Sequence, residues 1–191
     1  MASPCSADWI PVKRVARYLS RYPRCVSLFR WQSPVACLSA FTDSDWAGDV
    51  KTRKSTSGGC LLRGHHVVSH WSWTQQNIAL SSAEAELNGI CKASAEGLGA
   101  VYMARELGED IKLEVLTDSS AARGVIQRSG SGRIKHLQVK QLWVQERESQ
   151  KELTVSKLPR DRNVADLLTH HYSESEWQSL SGYFSVERRP S

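Results

Sequence analysis

Leu38-Ser39-Ala40-Phe41-Thr42-Asp43 is an apolar run that closes on a carboxylate, and Leu113-Glu114-Val115-Leu116-Thr117-Asp118 repeats the pattern further along the chain. Short apolar runs bounded by polar residues read as strands, so each leaves an Asp at a strand end. Glu86 lies near the start of a long helical pattern, and Asp166 opens the amphipathic segment Val164-Ala165-Asp166-Leu167-Leu168. A single Asp after a strand is an ordinary cap or turn former. Four carboxylates in such contexts point elsewhere. Hard divalent cations such as Mg²⁺ take oxygen ligands, and a two-ion site needs several carboxylates converging from separate elements.

Working outward, residues 44–57 make a polar connection, and Gly58–Arg63 and Val67–Trp73 read as a hairpin around Gly64-His65-His66. Three strands therefore precede the long helix, which favours antiparallel pairing at one side of a sheet. Leu80, Ala83, Leu87, Ile90, Cys91, Ser94, Leu98, Val101 and Tyr102 keep the helical rhythm, with Ser81 or Ser82 as N-cap. After the strand at 113–117 come a helix from Ser119 to about Arg128, the loop Ser129-Gly130-Ser131-Gly132 and a helix from about Ile134 to Glu148. A strand at 152–157, a helix around Asp166 and a last helix opened by the capping box Ser173-x-x-Glu176 complete the chain. Upstream, residues 8–21 form a short amphipathic helix with Asp8 as N-cap, Val12, Val15, Ala16 and Leu19 on one face, and Lys13, Arg14, Arg17 and Arg21 on the other. The predicted class is α/β, a mixed sheet with helices on its faces.

The 191 residues, 40% hydrophobic, suffice for one domain with a core, and no segment approaches the roughly 20 apolar residues of a membrane span. The start of the chain lacks a signal-peptide pattern, so an intracellular setting, cytoplasm or nucleus, is expected. The five cysteines form no CxxC pair, which disfavours zinc or a disulfide framework, and the adjacent pairs His65-His66 and His170-His171 fall in expected loops. The net charge of +5 is concentrated in residues 1–36, where six Lys and Arg face Asp8 alone. No Asp or Glu lies between Asp118 and Glu146, while Arg123, Arg128, Arg133, Lys135 and Lys140 do. Basic stretches beside an acidic metal site suit a polyanionic substrate, whose phosphates the carboxylates alone would repel.

Seven motifs in order then carry a resemblance. Phe41-Thr-Asp-Ser-Asp-Trp-Ala-Gly48, Arg53-Lys-Ser-Thr-Ser-Gly58, Trp71-Ser-Trp73, Ala79-Leu-Ser-Ser-Ala-Glu-Ala-Glu-Leu87, Thr117-Asp-Ser-Ser-Ala121, Lys135-His136 and Asn163-Val-Ala-Asp-Leu-Leu-Thr169 resemble the ribonuclease H domain of copia-type LTR retrotransposon Pol polyproteins. Trp9-x₃-Lys-Arg-Val-Ala-Arg-Tyr-Leu19 resembles the helix closing the reverse transcriptase part of these polyproteins. The resemblance implies residues 1–35 as a basic helix and linker, residues 36–182 as a ribonuclease H-like domain and residues 183–191 as a tail. It implies a five-stranded mixed sheet, three antiparallel strands and then two parallel additions, flanked by helices.

Carried over residue by residue, the family's catalytic and metal-binding set becomes Asp43, Glu86, Asp118 and Asp166, with Asp45 and Glu84 as outer neighbours. The implied reaction is cleavage of the RNA strand of an RNA–DNA hybrid with two Mg²⁺ ions (Mn²⁺ substituting) about 4 Å apart and bridged by Asp43. Ser119, Arg123, Arg133, Lys135 and His136 are the candidate nucleic-acid contacts, and the reverse transcriptase region of a related polyprotein is a candidate partner. The pattern departs from the family in the loop Leu158-Pro-Arg-Asp-Arg-Asn163, which lacks the mobile His thought to help product leave; Arg160 or Arg162 is the candidate replacement. The alternative is a catalytically silent remnant that binds nucleic acid or is only structural. A transposase or integrase fits less well, because the Glu sits on the first helix after the hairpin and no His/Cys module precedes it.

Overall fold

The computed structural model describes residues 5–128 and 139–189. Its centre is a five-stranded sheet of order β4-β3-β2-β5-β6. β2 (Cys37–Ser44), β3 (Thr56–Arg63) and β4 (His66–Thr74) form an antiparallel meander, while β5 (Lys112–Thr117) and β6 (Leu153–Lys157) add in parallel on the other side of β2. This is the five-stranded mixed sheet, three antiparallel strands and two parallel additions, expected from the sequence. The chain leaves β2 in one direction and returns to its other edge through α2 (Ser82–Glu106), so the strand order reverses between β2 and β5. Ligands of open α/β sheets bind at the carboxyl ends of strands beside such a reversal.

Alternation along the strands divides the core. Leu38 and Ala40 of β2, Leu61 of β3, Leu113 and Val115 of β5 and Val155 of β6 are buried with Ile90, Leu98 and Val101 of α2. Ala122 and Ile126 of α3 (Ser120–Ile126) and Val144 of α4 (Val139–Ser149) complete that layer. Cys60 and Leu62 face the other way, packing with Val164, Phe41, Leu168 and Phe184. The predicted start of α4 at Ile134 lies outside the described residues.

Several local expectations change. Asp8 takes the N-cap position of α1 (Trp9–Arg21), as expected, but its side chain makes no cap bond: it also ends a 3-10 turn, Ser6–Asp8, and its carboxylate accepts from the Cys5 N–H at 2.7 Å. The segment around Asp166 is a 3-10 turn, Val164–Leu168, with Asn163 accepting from Ala165 N at 3.3 Å. Four linker residues form β1 (Arg24–Ser27), antiparallel to β7 (Val186–Arg189). The residues after β1 are laced to the β3–β4 turn: Gln32 Nε2 donates to Arg63 O at 2.8 Å and His65 N to Gln32 Oε1 at 3.0 Å. Other caps follow the sequence. Ser81 Oγ accepts from Glu84 N at 3.2 Å, and Ser173 and Glu176 form the capping box of α5 (Glu174–Ser181). No described helix is long and apolar enough to cross a membrane.

Candidate metal centre

β2 and β5 run in parallel with Ala40 opposite Val115 and Phe41 opposite Leu116. Two residues further on, Asp43 and Asp118 therefore stand at the same end of adjacent strands. Two close approaches bring the other carboxylates to them. A Cβ at Gly89 of α2 would lie 2.6 Å from Thr42 Oγ1 and 2.9 Å from Ser44 Oγ, so only a glycine lets the helix settle this near β2. One turn earlier, Glu86 Oε1 accepts from Ser44 N at 3.3 Å. A Cβ at Gly58 of β3 would lie 2.6 Å from Leu168 Cβ, so the turn carrying Asp166 lies directly on the strand. Asn163, 1% exposed, fixes that turn by donating to Thr42 O at 3.0 Å.

The result is two overlapping ligand groups. Asp43, Glu86 and Asp118 form one, and Asp43, Asp166 and His170 the other, each with one ligand atom per residue and all within 4.8 Å of one another. Asp43 belongs to both. Asp43 and Glu86 are 4% and 8% exposed. Burial, with the repulsion of Asp166 and Asp118, outweighs the Thr169 hydrogen bond and raises the Asp43 pKa to about 6. Burial raises Glu86 to about 9, with the Asp43 and Asp118 charges adding.

Neighbours hold one oxygen of several carboxylates and leave another open. The Thr169 hydroxyl donates to Asp43 Oδ2, and the Tyr172 hydroxyl donates to Asp166 Oδ2. Burial and that bond to Asp166 push the Tyr172 phenol up. Glu86 Oε2 and Asp166 Oδ1 are buried without a hydrogen-bond partner among the described residues. Buried unpaired carboxylate oxygens are costly unless paired with a cation or protonated. An all-oxygen donor set of crowded carboxylates fits a hard divalent ion.

The four predicted carboxylates thus meet, and the neighbours named from the sequence make local contacts around them. Asp45 accepts from Thr56 N and closes the β2–β3 loop, while Glu84 accepts from Leu80 N at 2.8 Å. Ser119 Oγ accepts from Ala122 N at 3.2 Å as the cap of α3, and Arg123 Nε donates to Val155 O at 3.2 Å. Arg133, Lys135 and His136 lie outside the described residues. Arg160 is exposed and close enough to Tyr172 to pull its pKa downward. His170, read from the sequence as part of a loop, stands in the centre, its Nε2 3.5 Å from Asp166 Oδ1 and 3.9 Å from Asp43 Oδ2. The spacing Asp-x₃-His, which puts both side chains on one side of a helical turn, was the available signal.

No protein-family model matches the chain. It is 31% identical over 171 residues to the retrovirus-related Pol polyprotein from transposon TNT 1-94 of Nicotiana tabacum, covering 88% of this chain and 13% of that protein. The corresponding polyprotein from transposon RE2 of Arabidopsis thaliana is 28% identical over 193 residues, covering 100% of this chain and 13% of that protein. The chain is a homologue of a segment of the retrovirus-related Pol polyproteins of copia-type transposons. This Pol homologue spans about an eighth of the length of those curated relatives. LC11-RNase H1, isolated from compost, aligns with it at TM-score 0.48 and 18% identity, covering 70% of this chain and 93% of that one.

Proposed function

We propose that the chain is a metal-dependent ribonuclease that cuts the RNA strand of RNA–DNA hybrids. The observation that carries this is the convergence of Asp43, Glu86, Asp118 and Asp166 from four separate elements at the strand ends, with Glu86 Oε2 and Asp166 Oδ1 open. Two divalent ions bound there would supply Lewis acidity, acidifying an attacking water and neutralising charge on the leaving 3′-oxygen. The protein's part is to hold the donors still. Thr169 fixes one Asp43 oxygen, Ser44 N fixes Glu86, and Tyr172 fixes Asp166, so the open oxygens need no reordering when substrate arrives. A carboxylate centre alone repels phosphate, so hybrid binding also draws on basic groups, among them those of α1. The 2′-hydroxyl, both donor and acceptor, is the feature by which RNA is distinguished from DNA. The reverse transcriptase region of a related polyprotein is the natural partner on this reading.

The test is cleavage of a labelled hybrid with Mg²⁺ or Mn²⁺ by the native chain, Asp43→Asn and Glu86→Gln. Metal-dependent cutting of the RNA strand alone, reduced about 10³-fold or more in both variants, is the expected result. A folded native chain that binds the hybrid and leaves it intact would instead establish a silent remnant.

A further inference from the structure

His170 is the one nitrogen donor in the centre among the described residues, and its surroundings place it as more than a passing surface group. Its backbone N–H donates to Asp166 O at 3.1 Å, so the 3-10 turn that fixes Asp166 fixes His170 with it. The side chain is 42% exposed, open to solvent on one side, while Nε2 faces Asp166 Oδ1 at 3.5 Å and Asp43 Oδ2 at 3.9 Å. Two ligands each about 2.1 Å from one ion stand roughly 3–4 Å apart. The two observed separations fall in that range. A hydrogen-bonded imidazole would lie nearer. The second observation is independent of His170: Glu86, 8% exposed, aims an unpartnered Oε2 into the adjoining group that shares Asp43.

We propose that His170 is a metal ligand, and that its imidazole makes the Asp43–Asp166 half of the centre prefer a transition-metal ion such as Mn²⁺ over Mg²⁺. The proposal rests on the reading of the cluster as a metal centre. Its basis is ligand chemistry: carboxylates alone suit Mg²⁺, whereas a nitrogen donor adds affinity for ions along the first transition row and little for Mg²⁺. The centre is then asymmetric. Asp43, Glu86 and Asp118 offer oxygen only, and Asp43, Asp166 and His170 offer a mixed set. Asp43 couples the two halves, and Tyr172, bonded to the far oxygen of Asp166, turns its Oδ1 toward His170. His171 lies in neither group and serves as the control.

The experiment measures metal binding by the full chain, without substrate, using Mn²⁺ and Mg²⁺ separately in calorimetry and pulsed paramagnetic resonance on bound Mn²⁺. The native protein and His171→Ala should show coupling from a directly bound imidazole nitrogen, and His170→Ala should lose it. His170→Ala should also bind Mn²⁺ about tenfold or more weakly while its Mg²⁺ affinity changes less than about threefold. His170→Gln, which keeps most of the side-chain volume, covers the case in which the alanine variant does not fold, and should likewise lose the nitrogen signal. Bound Mn²⁺ without nitrogen coupling, or an unchanged Mn²⁺ to Mg²⁺ ratio in a folded His170 variant, overturns the proposal and leaves the carboxylate centre standing. A native chain that binds neither ion overturns both.

Discussion

Glu86→Gln replaces a carboxyl whose charge the metal-free fold resists, and the consequence is a pH dependence with a definite sign. The folded-state values of about 9 for Glu86 and about 6 for Asp43 lie above the ordinary 4.5 and 3.8. Raised folded values mean that the native state holds its protons more tightly than the unfolded chain. The associated stability is fully present below the ordinary values and is lost as pH rises toward the folded ones. Between pH 4.5 and 9 Glu86 removes about 1.4 kcal/mol per pH unit, and Asp43 does so between about 3.8 and 6. Gln at position 86 does not titrate, so the variant's advantage over the native chain should widen with pH. At pH 8 it should reach on the order of 2–4 kcal/mol, after allowance for relaxation and water entry. Urea unfolding in chelator at pH 5, 6.5 and 8 measures it. Mg²⁺ at about 1,000 times its Kd should reverse the order, because an ion binding only the native state then adds about 4.1 kcal/mol. A metal-free native chain whose stability is flat or rising from pH 5 to 8, with Glu86→Gln equally destabilised throughout, would refute the reasoning. Glu86 would then be ionised and compensated in the fold.

Gly89→Ala should drive α2 away from Thr42 and Ser44, destabilising the protein by about 1–3 kcal/mol and weakening Mg²⁺ binding, as read by denaturation and calorimetry. Asn163→Ala removes the buried bond to Thr42 O and should cost about 1–3 kcal/mol; a loss below about 0.5 kcal/mol would show that packing alone holds the Asp166 turn. Tyr172→Phe leaves the ring and frees Asp166 Oδ2, so metal affinity should fall about tenfold with little change in metal-free melting temperature.

The elements that carry the site were legible because their signals are local. β2 and β5 each announce themselves by an apolar run that stops at Thr-Asp, and α2 by a long helical rhythm with Ser81 before it. Which carboxylates belong together was not legible from any one segment; it came from the order of motifs and was met by the parallel register of β2 and β5. The i, i+4 spacing of Asp166 and His170 does not by itself place the imidazole in the centre, because that depends on a turn seated on Gly58, a tertiary contact. β1 and β7 escaped notice for a related reason. They are four residues each and far apart in the chain, and β1 is mostly exposed, so it carries no alternating burial pattern to read. Arg123 carries a contact that its charge does not announce: its Nε donates to a backbone carbonyl of β6.

Beneath the acidic centre runs a buried polar chain: Ser44 Oγ and Ser57 Oγ are 2.7 Å apart, Gln75 Nε2 donates to Ser57 Oγ at 2.7 Å, and Asn88 Nδ2 donates to Gln75 Oε1 at 2.9 Å. Those four residues come from β2, β3, the segment after β4 and α2, the elements that flank Asp43 and Glu86. A core of aliphatic side chains would pack here with no polar groups to satisfy, but it would slide or repack when two buried carboxylates repel each other. Directional bonds resist that movement because breaking one strands a buried donor or acceptor at a cost of about 1–3 kcal/mol. Stability and function therefore oppose each other at this end of the sheet. The carboxylates weaken the metal-free fold as pH rises, the Ser-Gln-Asn chain keeps them from relaxing apart, and a divalent ion bound there would relieve the strain by pairing with Glu86 Oε2 and Asp166 Oδ1, which no described residue hydrogen-bonds.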